Sequence, residues 1–299
     1  MRRDGSGIGM RIAGAAVLLI ATLLSGGAEA GLRLVPEGGP PGGDVRCLAA
    51  SGGVFWAGTA SGVFRGGSLG DGWALDGLSG KPVSSVAILN GEAWAATGEE
   101  LWRRSVAGTW TLETLPSSVA FPTTVAVDAS GVLWVGGLGV WRRTGSTWTA
   151  APSPGVGIVT AMLAEPSGLV VGLSVGSAAR WTGASWAALS GGVGPAEGFR
   201  ALASFGGTLW AGTNVTLYAW NGSSWVVDAA FGAHDVRALT SWGGALRAAT
   251  ADAGVLARNG SAWVADRGGI LPRGGQAFLD LGSDLLLGTV GGGVYRRQG

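Results

Sequence analysis

"TLWAGTNVTLYAWNGSSW" (208–225) has the same cadence as two distant stretches, "VFWAGTASGVFR" (54–65) and "DLLLGTVGGGVYRR" (284–297). Self-similarity of this kind is settled before any other reading, because a fixed period dictates the whole architecture. Anchors placed in equivalent short apolar runs, Leu48, Val86, Val125, Met162, Leu202, Leu239 and Phe278, are spaced 38, 39, 37, 40, 37 and 39 residues apart. Seven units of that length fill the chain after its first 30 residues.

Each unit follows one pattern. A short apolar run such as "VRALTS" (236–241) leads into a tight turn such as Gly206-Gly207. A second run ends in Gly or Thr, as in "LWAGT", "AWAAT" and "LLLGT". A third run carries an aromatic residue followed by Arg, as at Phe64-Arg65, Trp102-Arg103, Trp141-Arg142 and Tyr295-Arg296. A fourth opens at Gly-x-x-Trp, with Trp73, Trp110, Trp148, Trp186, Trp225 and Trp263. Short apolar runs punctuated by Gly and Ser are strand and hairpin signals. Four strands per unit and about 40 residues per unit are the signature of a propeller blade. The expected fold is therefore all-β: a seven-bladed β-propeller of four-stranded antiparallel blades, starting near residues 45, 83, 123, 158, 199, 236 and 276. The seventh unit ends at its third strand, and the stretch "GLRLVPEGGP" (31–40) precedes the first blade. Closure of the ring is expected from this N-terminal strand pairing with the last blade.

Composition fits that reading. The chain has 299 residues, including 58 Gly and 15 Trp, and only 13% are charged. Glycine permits the tight hairpins, and broad indoles suit the wedge between blades. Residues 1–30 read as an export signal: Arg2, Arg3 and Arg11, then the apolar "IAGAAVLLIATLL" (12–24), then a small-x-small site with cleavage expected after Ala30. The apolar run is too short for a membrane span. The mature domain is then 31–299, exported to the periplasm or the extracellular space, with no stable membrane anchor. The whole chain has 20 basic and 19 acidic residues; the leader removes three Arg and two acids, leaving 17 of each. Zero net charge argues against a nucleic-acid partner. The one cysteine, Cys47, lies in "VRCLAA" and reads as a small buried hydrophobe. One His and one Cys make no zinc site, so no metal and no cofactor are expected.

The motif "LWAGT…GVFR…GxxW" resembles the repeats of two-component regulator propellers and of BNR (sialidase-like) propellers. The Gly-x-x-Trp tails of the BNR Asp-box survive at Trp148, Trp186 and Trp225. The Asp position, five residues earlier, instead holds Arg143, Trp181 and Trp220. The resemblance implies ligand binding in the funnel formed by loops leading into the first strands and loops joining second to third strands. Two residues before each anchor lies a polar column: Arg46, Ser84, Thr123, Thr160, Arg200, Arg237 and Gln276. Three guanidiniums on one rim suit a carboxylate or phosphate. The bland alternative is a solvated channel lining in which the arginines pair with Asp44, Asp235 or Glu197. His234 and Asp235 lie beside the column; His234 reads as a tautomer-fixed base next to Asp235 or as a surface residue. The expected function is a non-enzymatic, monomeric binding module for a protein, peptide or glycan. The alternative is a sialidase-like or other glycan-active enzyme. That alternative would need a tyrosine at the arginine ring, whereas Tyr218 and Tyr295 sit in the aromatic packing column, or a carboxylate pair among Glu99, Glu100, Glu197 and Asp252. Arg247 departs from the column of Trp56, Trp94, Trp134 and Trp210, which suggests pairing with a neighbouring blade's acid, a small polar pocket, or drift in one blade.

Overall fold

The computed structural model describes residues 34–40, 43–67, 70, 72–116, 121–194, 196–266 and 274–298. The expected leader and its cleavage site lie outside these residues. Every regular element among them is a strand, and the strands form seven four-stranded sheets. The innermost strands are Val45–Ser51, Ser85–Leu89, Thr124–Val127, Val159–Glu165, Phe199–Phe205, Val236–Trp242 and Gly275–Asp280. Each contacts the innermost strand of the next blade, and the seventh contacts the first. The protein is a seven-bladed β-propeller.

Blades 1 to 6 each run outward in chain order, antiparallel throughout. In blade 7, Leu34–Pro36 lies beside the third strand Val294–Gln298, with Leu34 opposite Arg297 and Pro36 opposite Tyr295. Glu37 follows it and forms an ion pair with Arg296 at 2.6 Å.

The second strands explain why "LWAGT" reads as an unbroken apolar run. Both faces of Thr208–Thr213 are covered by neighbouring blades, and five of its six residues are buried. A run buried on both sides loses the alternation of a half-exposed strand. The outermost strands face solvent; Val226 and Val227 are exposed. The tight turn at Gly206 and Gly207 has φ of +59° and +75°, the doubly left-handed pair that a two-residue hairpin requires.

The hydrophobic core is a series of layers between blades. Trp94 and Trp134 are essentially inaccessible, and Trp56 and Trp210 nearly so. Each such indole removes about 150–250 Å² from water, an upper limit of about 4–6 kcal/mol at the usual area coefficient. An outer polar latch overlies these layers. Arg104 of blade 2 reaches back to Asp76 of blade 1 (2.6 Å) and stacks over Trp56 of blade 1 (5.0 Å). Trp110 of blade 2 also donates to Asp76, at 2.8 Å. Arg143 approaches Glu113 across the 2/3 interface (3.8 Å) and stacks over Trp94 (4.6 Å), while Arg258 approaches Asp228 across the 5/6 interface (3.7 Å) and stacks over Trp210 (4.7 Å).

Arg247 has an ordered role in this scheme. It is buried and pairs with Asp266 of its own blade at 2.9 Å, and Asp266 also receives Arg297 of blade 7. The displaced indole reappears as Trp242 at the end of the first strand of blade 6. Both guanidiniums lie over its ring, at 4.8 Å and 5.7 Å. Desolvation, followed by repulsion from Arg247, pushes Arg297 down to about 10.

Candidate functional site

At five of the seven innermost strands the register slips by one residue near the start: between Val45 and Cys47, Val159 and Ala161, Phe199 and Ala201, Val236 and Ala238, and Gly275 and Ala277. The extra residues are Arg46, Thr160, Arg200, Arg237 and Gln276. A bulge leaves its extra residue out of the ladder and re-aims the side chain. Ser84 and Thr123 occupy the equivalent positions just before regular strands in blades 2 and 3, each donating its backbone N–H to the second strand.

The seven side chains thus gather at one end of the axis, but they do two different jobs. Ser84 Oγ donates to the carbonyl of Thr123 in the next blade at 2.7 Å. Thr123 Oγ1 donates to Val159 O, and Thr160 Oγ1 to Phe199 O. Gln276 crosses from blade 7 to Asp44 of blade 1 at 2.5 Å. These four residues tie each blade to its successor. Among the described residues, their side-chain hydrogen bonds are made within the ring itself.

The arginines remain half-exposed, with 38% of the Arg46 and Arg200 side chains and 39% of Arg237 accessible. Arg46 pairs with Asp44 at 3.1 Å. Arg200 donates to both oxygens of Asp235, and Arg237 donates to the same carboxylate at 2.6 Å. Three guanidiniums therefore share two carboxylates within this inner ring, while Glu100, Glu197 and Asp252 stand in the surrounding loops. All three line an axial cavity of about 240 Å³, with Thr160, Cys47 and Phe278 also in its wall. Exposed ion pairs are worth about 0–1 kcal/mol, so an incoming anion can take one of these arginines at little cost.

His234 is bound differently from the expectation. Its Nδ1 lies 2.7 Å from Asp252 Oδ2, on the second-to-third-strand loop of the same blade, and its ring packs edge-on to Phe231. Asp235 is already occupied by two guanidiniums, so it does not serve His234. For Asp252, burial pushes the carboxyl up, but the hydrogen bond and charge of His234 outweigh it and the net shift is downward.

Of the other funnel carboxylates, Glu100 and Glu197 are also engaged, whereas Glu99 has no hydrogen-bond or ion-pair partner among the described residues. Glu100 accepts from Lys81 (2.7 Å) and Trp102 (2.8 Å), and the Lys81 hydrogen bond leads in holding it below its usual range. Glu197 accepts from Tyr218 Oη at 2.9 Å and from Thr213 at 3.2 Å. Tyr218 is buried; desolvation first, and then Glu197, pushes its phenol up to about 12. Among the described residues no group of three or more His, Cys, Asp and Glu side chains is arranged to hold a metal ion, and no helix is long and apolar enough to cross a membrane.

One feature of the rim went unread in the sequence. Phe121 and Val156, in the loops leading into blades 3 and 4, are exposed, as are Leu138, Val175 and Val215 in the second-to-third-strand loops of blades 3, 4 and 5. These loops stand at the same end of the blades as the bulges, because the start of each first strand pairs with the end of the second. Phe121 has φ of +63°, which is strained for a bulky residue. An apolar arc over blades 3 to 5 thus stands beside charged groups carried by blades 5, 6, 1 and 2, and Val290 in the second-to-third-strand loop of blade 7 is exposed as well. The signal was present as single apolar residues within Gly-rich loops, too sparse to form a pattern.

No protein-family model and no curated protein sequence matches the chain. Among solved structures, it is similar to the extracellular domain of a hybrid two component system from B. thetaiotaomicron, with a TM-score of 0.69 and 16% identity over 89% of this chain and 40% of that one. The chain therefore spans about 40% of the length of that extracellular domain. It is also similar to virginiamycin B lyase from Staphylococcus aureus, with a TM-score of 0.67 and 12% identity over 86% of this chain and 95% of that one. A third likeness is to YCF48 bound to D1 peptide, with a TM-score of 0.68 and 15% identity over 89% and 96% of the two chains. These likenesses establish the fold alone. Propellers of this shape occur in an extracellular domain of a two component system, a lyase and a peptide-bound protein, so function has to be argued from the residues of the funnel.

Proposed function

We propose that the chain is an exported, monomeric, non-enzymatic binding module whose funnel takes an acidic group of a protein, peptide or glycan ligand. The observation that carries this reading is the cluster of three guanidiniums: Arg46, Arg200 and Arg237 stand half-exposed around one cavity and share only Asp44 and Asp235. Arg presents a planar fork that fits a carboxylate with two parallel hydrogen bonds. The apolar arc beside the funnel favours a peptide or protein segment over a glycan, because such a segment brings apolar side chains together with its acid. The peptide-bound propeller among the similar structures supports the same class of ligand. The extracellular sensor domains, together with the apolar leader of the sequence, support export.

The enzyme reading finds less support. Tyr218 is buried, its phenol is pushed up to about 12, and it is not among the residues that line the arginine cavity. Glu100, Glu197 and Asp252 each accept from a different donor.

The test uses fluorescein-labelled nonapeptides that place one Asp or Glu among apolar residues, and amidated counterparts carrying Asn or Gln. The acidic set should bind and the amide set should bind at least tenfold more weakly. Equal binding of the two sets, or hydrolysis of aryl glycosides by the pure protein, contradicts the reading.

A further inference from the structure

The latch that joins blades at their outer edge is absent at three interfaces: at 7/1, where blade 1 carries Gly66 in place of the arginine, and at the consecutive 3/4 and 4/5 interfaces. Equivalent positions near the end of the third strand carry Arg104, Arg143, Arg258 and Arg297 in blades 2, 3, 6 and 7, each reaching an acid of the preceding blade. In blades 4 and 5 the same position carries Trp181 and Trp220. The acids disappear with the arginines. The indole N–H groups of Trp110, Trp148 and Trp263 donate to Asp76, Glu113 and Asp228, whereas those of Trp186 and Trp225 donate to the backbone carbonyls of Pro152 and Leu189. Both halves of the ion pair are absent at the 3/4 and 4/5 interfaces, and an indole fills each gap.

Two clefts open at these interfaces, at the end of the blades opposite the funnel. One, of about 540 Å³, is lined by Trp181, Arg142, Asp128, Ser130 and Thr182. The other, of about 670 Å³, is lined by Trp220, Arg180, Ser204, Thr208 and Asn221. The turn Glu165-Pro166-Ser167 belongs to both and forms the ridge between them. Each volume lies within the range of small-molecule sites.

The charges in the clefts cancel. Glu165 is matched by Arg180 at 2.7 Å and also accepts from Ser204 and Ser167. Asp128 accepts from Trp134 Nε1, from Ser130 Oγ and from the backbone N–H groups of Ser130 and Val132. Burial pushes this carboxyl up, but those hydrogen bonds outweigh it and hold it low. Arg142 makes no ion pair among the described residues and lies 5.5 Å over the ring of Trp181. Asp128 and Arg142 together leave the first cleft neutral. What remains is a dense set of hydroxyl, amide and guanidinium groups beside half-buried indole.

We propose that these two clefts are adjacent subsites for a neutral oligosaccharide, one sugar unit in each, spanning the Glu165–Ser167 ridge. A pyranose offers an apolar C–H face to Trp220 and hydroxyls on both sides to Ser, Thr, Asn, Arg and carboxylate groups, each of which can donate, accept or both. A neutral ligand matches the cancelled charge, since an unpaired charged group would pay its desolvation without a partner. The site lies on the face opposite the arginine funnel and stands independently of the reading given above.

The test is titration of the protein with neutral glucan and chitin oligosaccharides of two to six units, followed by calorimetry and tryptophan fluorescence. Binding of at least one series should tighten from the disaccharide to the tetrasaccharide. Trp220→Ala should weaken it at least tenfold, Trp220→Phe less, and Arg142→Gln at least threefold. The Arg200→Glu, Arg237→Glu protein should bind the same sugar unchanged. Should Trp220→Ala lower the melting temperature, Arg142→Gln and Trp220→Phe carry the comparison. No heat or fluorescence change at 20 mM sugar in any series, or equal affinity in Trp220→Ala and Arg142→Gln, overturns the proposal.

Discussion

Arg200 of blade 5 and Asp235 of blade 6 meet across the blade interface, the arginine Nη1 lying 2.8 Å and 3.0 Å from the two carboxylate oxygens. Arg237 shares that carboxylate. The pair joins two blades, yet it is accessible enough to be exchanged for a ligand. Replacing Asp235 by Asn should therefore raise affinity for acidic peptides by freeing both guanidiniums, while lowering stability by about 1 kcal/mol or less, the ordinary worth of exposed pairs. A titration with the labelled acidic peptides, set beside thermal melts, checks both halves.

Blade spacing is set by a close approach of backbone to side chain. A methyl group on Gly212 would lie 2.2 Å from Val236 Cγ1 of the next blade. The two positions trade size at the 6/7 interface, where Ala249 stands for the first and Gly275 for the second. Gly212→Ala should cost about 1–3 kcal/mol, the usual range for overpacking, and Val236→Gly in the same protein should recover part of it. A double-mutant cycle by urea unfolding measures the coupling; strict additivity would contradict the packing argument.

The outer latch between blades 1 and 2 is far more deeply placed than the funnel pairs, with side-chain exposure of 11% for Arg104 and 10% for Asp76. Asp76→Ala leaves a guanidinium and the indole N–H of Trp110 without their acceptor. Removal of one partner of a buried pair costs about 3–5 kcal/mol. A fall in urea midpoint with unchanged slope is expected; a change under about 1 kcal/mol would mean water replaces the carboxylate there.

Cys47 packs where a methyl on Gly58 would come 2.3 Å from its sulfur. Desolvation pushes its thiol from 9.0 up to about 12. Cys47 is half-buried in the wall of the axial cavity and the thiolate is the reactive form, so the native protein at pH 8 should react with an aromatic disulfide reagent more slowly than the urea-unfolded protein. The raised value also means that stability holds in full below the ordinary thiol range and falls as pH rises from about 9 toward 12. Fast native labelling would contradict this placement.

We propose that the strand Leu34–Pro36 seals blade 7. Its register with Arg297, Arg296 and Tyr295 and the Glu37–Arg296 pair support this. Deletion of residues 31–37 should leave an unpaired edge and promote association, because an open strand edge is a template for pairing. Light scattering reads the outcome; a deleted form that stays monomeric with an unchanged melting temperature would contradict the closure.

Much of this architecture is legible in the sequence because each blade repeats the same physical problem, a sheet that needs both faces covered. The column of Arg46, Ser84, Thr123, Thr160, Arg200, Arg237 and Gln276 is visible as polar residues inside apolar runs. Its division into four structural ties and three half-exposed arginines is not visible, because the five bulges insert one residue without disturbing the apolar pattern on either side. The partner of His234 is 18 residues away and depends on a loop brought alongside by strand pairing. Trp181 and Trp220 stand out in the sequence at the Asp position of the motif. Only the structure reveals that the acids facing those positions are lost as well and that clefts open there.

The measurement that bears most directly on the funnel is the affinity of the acidic nonapeptides for the wild-type protein and for Arg200→Glu, Arg237→Glu, at 50 mM and 300 mM salt. The account predicts a loss of at least tenfold in the double variant, a marked salt dependence in the wild type that the variant lacks, and closely similar circular dichroism for the two proteins. Equal affinity for both proteins, with the fold intact, would mean that the arginines only line the channel.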